Sequence, residues 1–319
     1  MENDLFRNNS DMKLICKNEE CSVYQLRNST GDGTMTSYEV FPGIMLIYSD
    51  FHTSYAPPRR GEVSDMLEIH HCKEGRIEWE LNSGLCYYLS SGDLAVRGHI
   101  TESTKCDFPI NHYHGLTITI SVIQATEAIA DLLRTFSIDL NALQIQFSIK
   151  DRPFIMRGER SIEHIFSELY NIPYHIRSEY LKVKTLELLV YLKAVDVSTN
   201  MEDRPYFYKT QVEKIKAIME LMTSDLENHY TIEGLSEQFQ ISVSALKSCF
   251  KGVYGVAIFT FMRKYRMDTA ATMLLQTEES ITNIAGKVGY SNSGKFAEAF
   301  KAVKGYSPTE YRKVKIHLG

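Results

Sequence analysis

The chain has 319 residues, 44% of them hydrophobic and 24% charged, with a net charge of −5; these are globular proportions, and the length favours two domains over one. No run approaches the roughly 18 apolar residues of a membrane span, and the start, MENDLFRNNS, lacks the basic and apolar regions of a secretory leader, so a cytoplasmic protein with no membrane partner is expected. The charge is unevenly divided: residues 209–319 carry 15 Lys and Arg against 11 Asp and Glu, net +4, while the preceding 208 carry 20 against 29, net −9. A basic nucleic-acid reader joined to an acidic sensing or assembly domain has that asymmetry.

In chain order, residues 14 to about 124 read as short strands. The segments 38–52, 65–72, 75–81, 85–90, 92–98 and 115–124 are rich in Ile, Val, Tyr and Thr and are separated by Gly, Pro, Ser and Asn. Such a succession of short antiparallel strands builds a small barrel or sandwich. Trp79 alternates with Ile77 and Leu81, and Tyr87 with Leu85 and Leu89, so each lies on an apolar strand face. With Glu68, His70 and Arg76 as polar neighbours, Trp79 and Tyr87 are the candidate effector-binding residues, because a small barrel can hold a small molecule in its mouth.

The period then changes. Residues 125–136 read as helical, 138–157 are ambiguous, and helices follow at 158–171 and 174–196. The second places Leu181, Leu188, Leu192 and Val195 on one side and Tyr180, Val183 and Val190 on the other. An apolar face of that breadth packs on the barrel or on a second copy, and Leu181, Leu188, Leu192 and Val195 are taken as dimerisation residues. VSTNMEDRP, 197–205, is the linker candidate, giving an effector domain at 1–157, a helical dimerisation segment at 158–200 and a further domain at 201–319.

Beyond the linker the pattern is wholly helical, at about 209–228, 232–239, 243–253, 256–276, 281–288, 292–303 and 307–315, and it repeats. FKGVYG begins at Phe250 and FKAVKG at Phe300, fifty residues apart, each preceded by a short apolar helix, a tight turn and a second helix. That is helix-turn-helix anatomy, in which the second helix enters the major groove. The roughly 20-residue helix between the copies would be about 30 Å long, close to the ~34 Å of one DNA turn, so two recognition helices could occupy successive grooves.

The stretches TIEGLSEQFQISVSALKSCFKGVYG and SITNIAGKVGYSNSGKFAEAFKAVKGYSPTEYR, the strut with Arg263, Arg266 and Met267, and the Gly-Tyr-Ser-Pro-x-x-Tyr-Arg run ending at Arg312 resemble the DNA-binding domain of the AraC/XylS family of bacterial transcription regulators. The resemblance implies an α+β chain with a cupin-like β-barrel domain, dimerisation helices and an all-α double helix-turn-helix domain. It also implies a homodimeric activator that binds double-stranded promoter DNA, contacts RNA polymerase and answers to a small-molecule effector. By position, the base-facing residues are Ser244, Ala245, Lys247 and Ser248 in the first motif and Ser293, Gly294, Lys295, Ala297 and Glu298 in the second, with Leu246, Phe250, Phe296 and Phe300 turned inward. Gln240 stands at a turn position where glycine is usual, and Gly286 interrupts a helix.

Other chemistry is less well supported. GYSNSGKF, 289–296, approaches a phosphate loop but offers Phe296 where a hydroxyl is needed. His70, His71, Cys72, His112, His114 and Glu78 do not have the spacing of a cupin metal centre, so neither metal nor cofactor is expected. No catalytic triad or carboxylate pair is readable, and the chain is taken not to be an enzyme. The alternatives are a metal-dependent cupin enzyme fused to a DNA reader, and a ligand-independent regulator whose barrel only dimerises. Six scattered cysteines read as reduced thiols, mostly buried.

Overall fold

A computed structural model describes residues 10–57, 65–81, 83–98, 106–148, 153–157, 160–197 and 206–317. The chain divides into two compact units, Met1–Tyr206 and Phe207–Gly319. Most of the expected linker, 198–205, lies outside the described residues. No single described helix is long and apolar enough to cross a membrane.

The first unit runs β1 (Met12–Lys17), β2 (Cys21–Asn28), β3 (Gly31–Phe41), β4 (Ile44–His52), β5 (Tyr55–Ala56), β6 (Met66–Glu80), β7 (Leu85–Ser90), β8 (Leu94–Arg97), β9 (Cys106–Asp107) and β10 (Tyr113–Ser121). Then come α1 (Val122–Ala128), α2 (Ala130–Thr135), α3 (Leu140–Gln146), β11 (Phe154–Met156), α4 (Arg160–Leu169) and α5 (Arg177–Lys193). The strands are ordered β1-β2-β3-β4-β10-β6-β7 and pair antiparallel. Besides β10, the long strand β6 pairs β8, which carries β11, along its first half, and β7 and β9 along its second half.

A strand shared in this way curls the sheet into a half-barrel. The bend sits at Gly75, whose φ of +85° and close approach to the His112 carbonyl exclude a side chain, opposite a register slip between His114 and Gly115. The segments expected as separate strands at 65–72 and 75–81 are therefore one strand folded through a glycine. The segment expected at 38–52 is instead two strands, split by a turn at Gly43 with φ +82°. The ambiguous 138–157 resolves into α3 and β11.

Two hydrophobic cores lie on the two faces of the curled sheet. Ile44, Leu46, Ile69, Leu116 and Ile118 face the helices and meet Leu133, Leu143, Phe147, Ile165, Phe166 and Leu188. Tyr24, Leu26, Met35, Ile47, Phe51, Trp79, Tyr87 and Phe108 fill the opposite face.

The helix-side core corrects the dimerisation assignment. Leu181, Leu188 and Leu192 are 2%, 0% and 0% exposed, and with half-buried Val195 they pack into their own unit's core. Each buried leucine contributes about 1.5–3 kcal/mol there, because the sheet already offers an apolar surface that must be covered. The side of α5 left open carries Val183 and Val190. All six cysteines are free, with Cys72, Cys86 and Cys249 buried, Cys21 and Cys106 half-buried and Cys16 exposed.

The second unit comprises α6 (Lys209–Ser224), α7 (Ile232–Gln238), α8 (Val243–Tyr254), α9 (Ile258–Gln276), α10 (Ile281–Lys287), α11 (Ser293–Lys304) and α12 (Pro308–His317). Its second half is built around Met267, Ala270, Leu274, Ile284, Val288, Phe296 and Phe300.

Candidate nucleic-acid interface

The repeat seen in the sequence is a repeat of caps and turns. Ser242 opens α8 by accepting from the Ala245 amide, and Asn292 opens α11 by accepting from Lys295. Gly255 and Gly305 close these helices in the left-handed region, both at φ +81°, returning their amides to Lys251 and Lys301. The bracing helices are capped alike, by Thr231 on α7 and Ser280 on α10. Between brace and recognition helix the chain must turn left-handed, and Gly289 does so at φ +82°. In the first motif Gln240 does it at +49°, its carbonyl held by Lys214 Nζ at 2.9 Å.

The signature that closes the second motif has a mechanical reading. Ser307 and Glu310 form a reciprocal capping box on α12, with Pro308 at its first position. Tyr311 packs edge-on against Phe300 at 5.4 Å, and Arg312 donates to the Glu279 carbonyl at 2.5 Å. The motif therefore anchors the chain end to the second helix-turn-helix.

In the recognition helices, Leu246, Phe250, Phe296 and Phe300 are fully buried. Ser244, Lys247 and Ser248 are exposed on α8 with Ala245 half-buried beside them, and Ser293, Gly294, Lys295 and Glu298 are exposed on α11 with Ala297 half-buried. Among the described residues Lys247, Lys295 and Glu298 have no ion-pair partner, so Glu298 is not drawn aside by Lys295 or Lys301 as its neighbourhood in the sequence would allow. Other cations are committed to the fold: Lys287 to Glu279 at 2.7 Å and Lys304 to Asp268 at 2.5 Å.

Sequence reasoning missed the part played by Arg266. Its guanidinium donates to the carbonyls of Asn228 at 3.0 Å, Val288 at 3.1 Å and Gly289 at 3.4 Å. It thus ties the strut α9 to the turn of the second motif and to the loop before the first, and burial lowers its pKa. Beside it runs a cleft of about 440 Å³ whose lining includes Tyr230, Phe259, Arg263, Tyr290 and Lys295. Nothing in the spacing of these residues announces it, since they come from four separate segments.

In the first unit the candidate effector residues separate into two sets. Glu68 and His70 lie on the half-barrel side of β6, where His70 joins Glu68 Oε2 at 3.0 Å and Thr117 Oγ1 at 3.1 Å, with Arg97 Nη1 3.9 Å from the same carboxylate. Trp79 stands over His70 with ring centres 5.1 Å apart and stacks on Tyr87 at 5.1 Å. The Tyr87 hydroxyl is buried with no hydrogen-bond partner among the described residues, and burial raises its pKa. Arg76 does not join them. It pairs with Ser90 and lies over the Tyr88 ring, on the face of β6 opposite Trp79. Nor do the histidines converge with Glu78: His71 stacks on Phe166 at 4.0 Å, on the helix side, while His70 is on the half-barrel side.

A helix-turn-helix domain model matches residues 235–314. Over 103 residues the chain is 30% identical to the HTH-type transcriptional activator RhaR of Mannheimia succiniciproducens, covering 32% of this chain and 37% of that one. It is 30% identical over 89 residues to a putative AraC-like transcription regulator of Streptomyces lividans, covering 28% and 29%. The chain thus spans well under half the length of these relatives. Among solved structures, the C-terminal domain of AraT, a response regulator from Geobacillus stearothermophilus, is 30% identical with a TM-score of 0.31, covering 32% of this chain and 84% of that one. Two capped helix-turn-helix motifs on one strut, closed by the Ser307 capping box, agree with the match of residues 235–314 to a helix-turn-helix domain, and over that part the chain is similar to AraC-like transcription regulators.

Proposed function

We propose that the chain is a sequence-specific DNA-binding transcription regulator rather than an enzyme, acting in the cytoplasm as an activator on double-stranded promoter DNA and RNA polymerase. The observation that carries this is the pair of recognition helices of one geometry, fifty residues apart, with serine and lysine exposed on their first turns. The 19-residue strut α9 between them rises about 28 Å at 1.5 Å per residue, against the ~34–36 Å separating successive major grooves on one DNA face. Ser244, Ala245, Lys247 and Ser248 would meet one groove, and Ser293, Gly294, Lys295, Ala297 and Glu298 the next.

Control by a small-molecule effector is the reading best supported for the first unit. A buried tyrosine hydroxyl without a partner beside Glu68, His70 and Arg97 offers a hydrogen bond that a hydroxyl- or carbonyl-bearing ligand would satisfy. The chain would act as a homodimer, since paired half-sites need paired readers; the contact would use the open side of α5 around Val183 and Val190 rather than its buried leucines. The test is selection from a randomised duplex library with the full-length protein, followed by affinity against salt. Enrichment of two adjacent segments, with a log–log slope near −0.9 per neutralised phosphate, is the expected result. Binding without sequence preference or without salt dependence overturns the reading.

A further inference from the structure

The end of the sheet farthest along β4 and β10 gathers titratable side chains that DNA reading does not use. Phe51 and Tyr113 are paired across these strands and belong to the half-barrel core, so their neighbours Asp50, His52, His112 and His114 project from the other face. His114 stands opposite Asp50 on one side and opposite Glu74 on the other. One step further, the rings of His52 and His112 stack with centres 5.0 Å apart. Three strands therefore present five potential metal ligands in two adjacent rows.

We propose that Asp50, His52 and His112 form a binding site for one divalent transition-metal ion of the borderline class typified by zinc, with Glu74 or His114 completing the shell. One donor atom from each of the three residues lies within 4.8 Å of the others. His52 Nε2 is 3.3 Å from Asp50 Oδ1, about the edge of a tetrahedron with metal–ligand bonds of ~2.0–2.1 Å. Glu74 Oε2 lies 3.7 Å from His112 Nε2. Two imidazole nitrogens and a carboxylate oxygen suit zinc, nickel or copper, whereas calcium and magnesium call for oxygen alone.

The side chains are exposed or half-buried, so they can close on an ion without disturbing the core. Lys73, the cation acting on His114, is held over the Tyr170 ring at 4.8 Å. The ion would join β4 to β10 at their open ends. It would do so beside α4, whose following residue Tyr170 meets His114 edge-on at 5.4 Å. This face is opposite the one that holds Glu68 and His70, so the site is distinct from the proposed effector residues and does not depend on the DNA-binding reading.

Full-length protein stripped with chelator tests the site, with Zn²⁺ titrated by calorimetry and Co²⁺ followed by absorption. One equivalent should bind, and the cobalt spectrum should show ligand-field bands without thiolate charge transfer, which separates this site from the free cysteines. His52→Ala and His112→Ala should each weaken binding at least about tenfold, since even partners one bond removed from a metal are worth 10–100-fold. His175→Ala, on an exposed turn elsewhere, should change nothing. Absence of binding, a thiolate band for the bound equivalent, or unchanged affinity in both histidine variants overturns the proposal.

Discussion

The two helix-turn-helix motifs share a frame and differ in what the frame displays. Caps, C-terminal glycines and buried phenylalanines coincide, down to the +81° of Gly255 and Gly305. Yet at the inter-helix turn one motif has Gly289 and the other Gln240, and on the recognition surface α8 shows Lys247 and Ser248 where α11 shows Lys295 and Glu298. A duplicated backbone needs only its caps, turns and core, so the exposed positions are free to take on different tasks. On the proposed reading, the first motif would donate to bases, and the second, with an unpaired carboxylate, would hold the backbone at fewer points.

Exchanging turn residues tests the frame most severely. Gly289→Ala must place a Cβ against the Arg266 guanidinium and the Leu226 carbonyl at positive φ. A loss of about 2–4 kcal/mol is expected from the combined backbone and overpacking costs, read as a drop in the unfolding midpoint of the C-terminal unit. Unchanged stability would mean that the second turn is no tighter than the first. Next in size, Lys247→Ala should relax discrimination at one base pair by about 1–3 kcal/mol, measured by competition among single-base variants of the selected site. Equal losses from Lys295→Ala would erase the functional asymmetry between the motifs.

Gln240→Gly should stabilise by about 0.5–1 kcal/mol by relieving a left-handed side-chain residue. Gly286→Ala should do as much in the second brace, where an added Cβ meets no atom within 4 Å. Chemical denaturation of the two variants decides whether each motif has its own local defect. The smallest effect belongs to Glu298→Ala. Removing an exposed, unpaired carboxylate beside phosphates should raise affinity for every sequence alike, by no more than about fivefold. Loss of preference at a single cytosine would instead make Glu298 a base reader.

The second unit could be read almost element by element, because its caps, left-handed glycines and Phe-Lys-x-Val-x-Gly repeat are local features whose chemistry acts over four or five residues. The first unit was less transparent, for two physical reasons. In α5 the apolar residues encircle most of the helix, and periodicity states that a face is buried without naming what buries it; the leucines met their own sheet. In β6 the alternation of faces reverses across Gly75, so Glu68 and His70 share a face with Trp79 while Arg76, named with them as a polar neighbour, lies on the opposite face. The cluster of Asp50 and His52 with His112 could not be read at all, since strand pairing brings together residues sixty positions apart.

Arg266, described above as three hydrogen bonds, also determines how the domain behaves as a measuring instrument. With Asn228, Val288 and Gly289 all gripping one guanidinium, the angle between the two motifs has no soft joint at the strut's centre. A base pair inserted between the two contacted segments would rotate the second by about 34–36°, given 10–10.5 base pairs per turn. On the proposed reading, the Arg266 contacts would oppose that rotation, and torsional work falling on the DNA would make the spacing between segments a matter of helical phase.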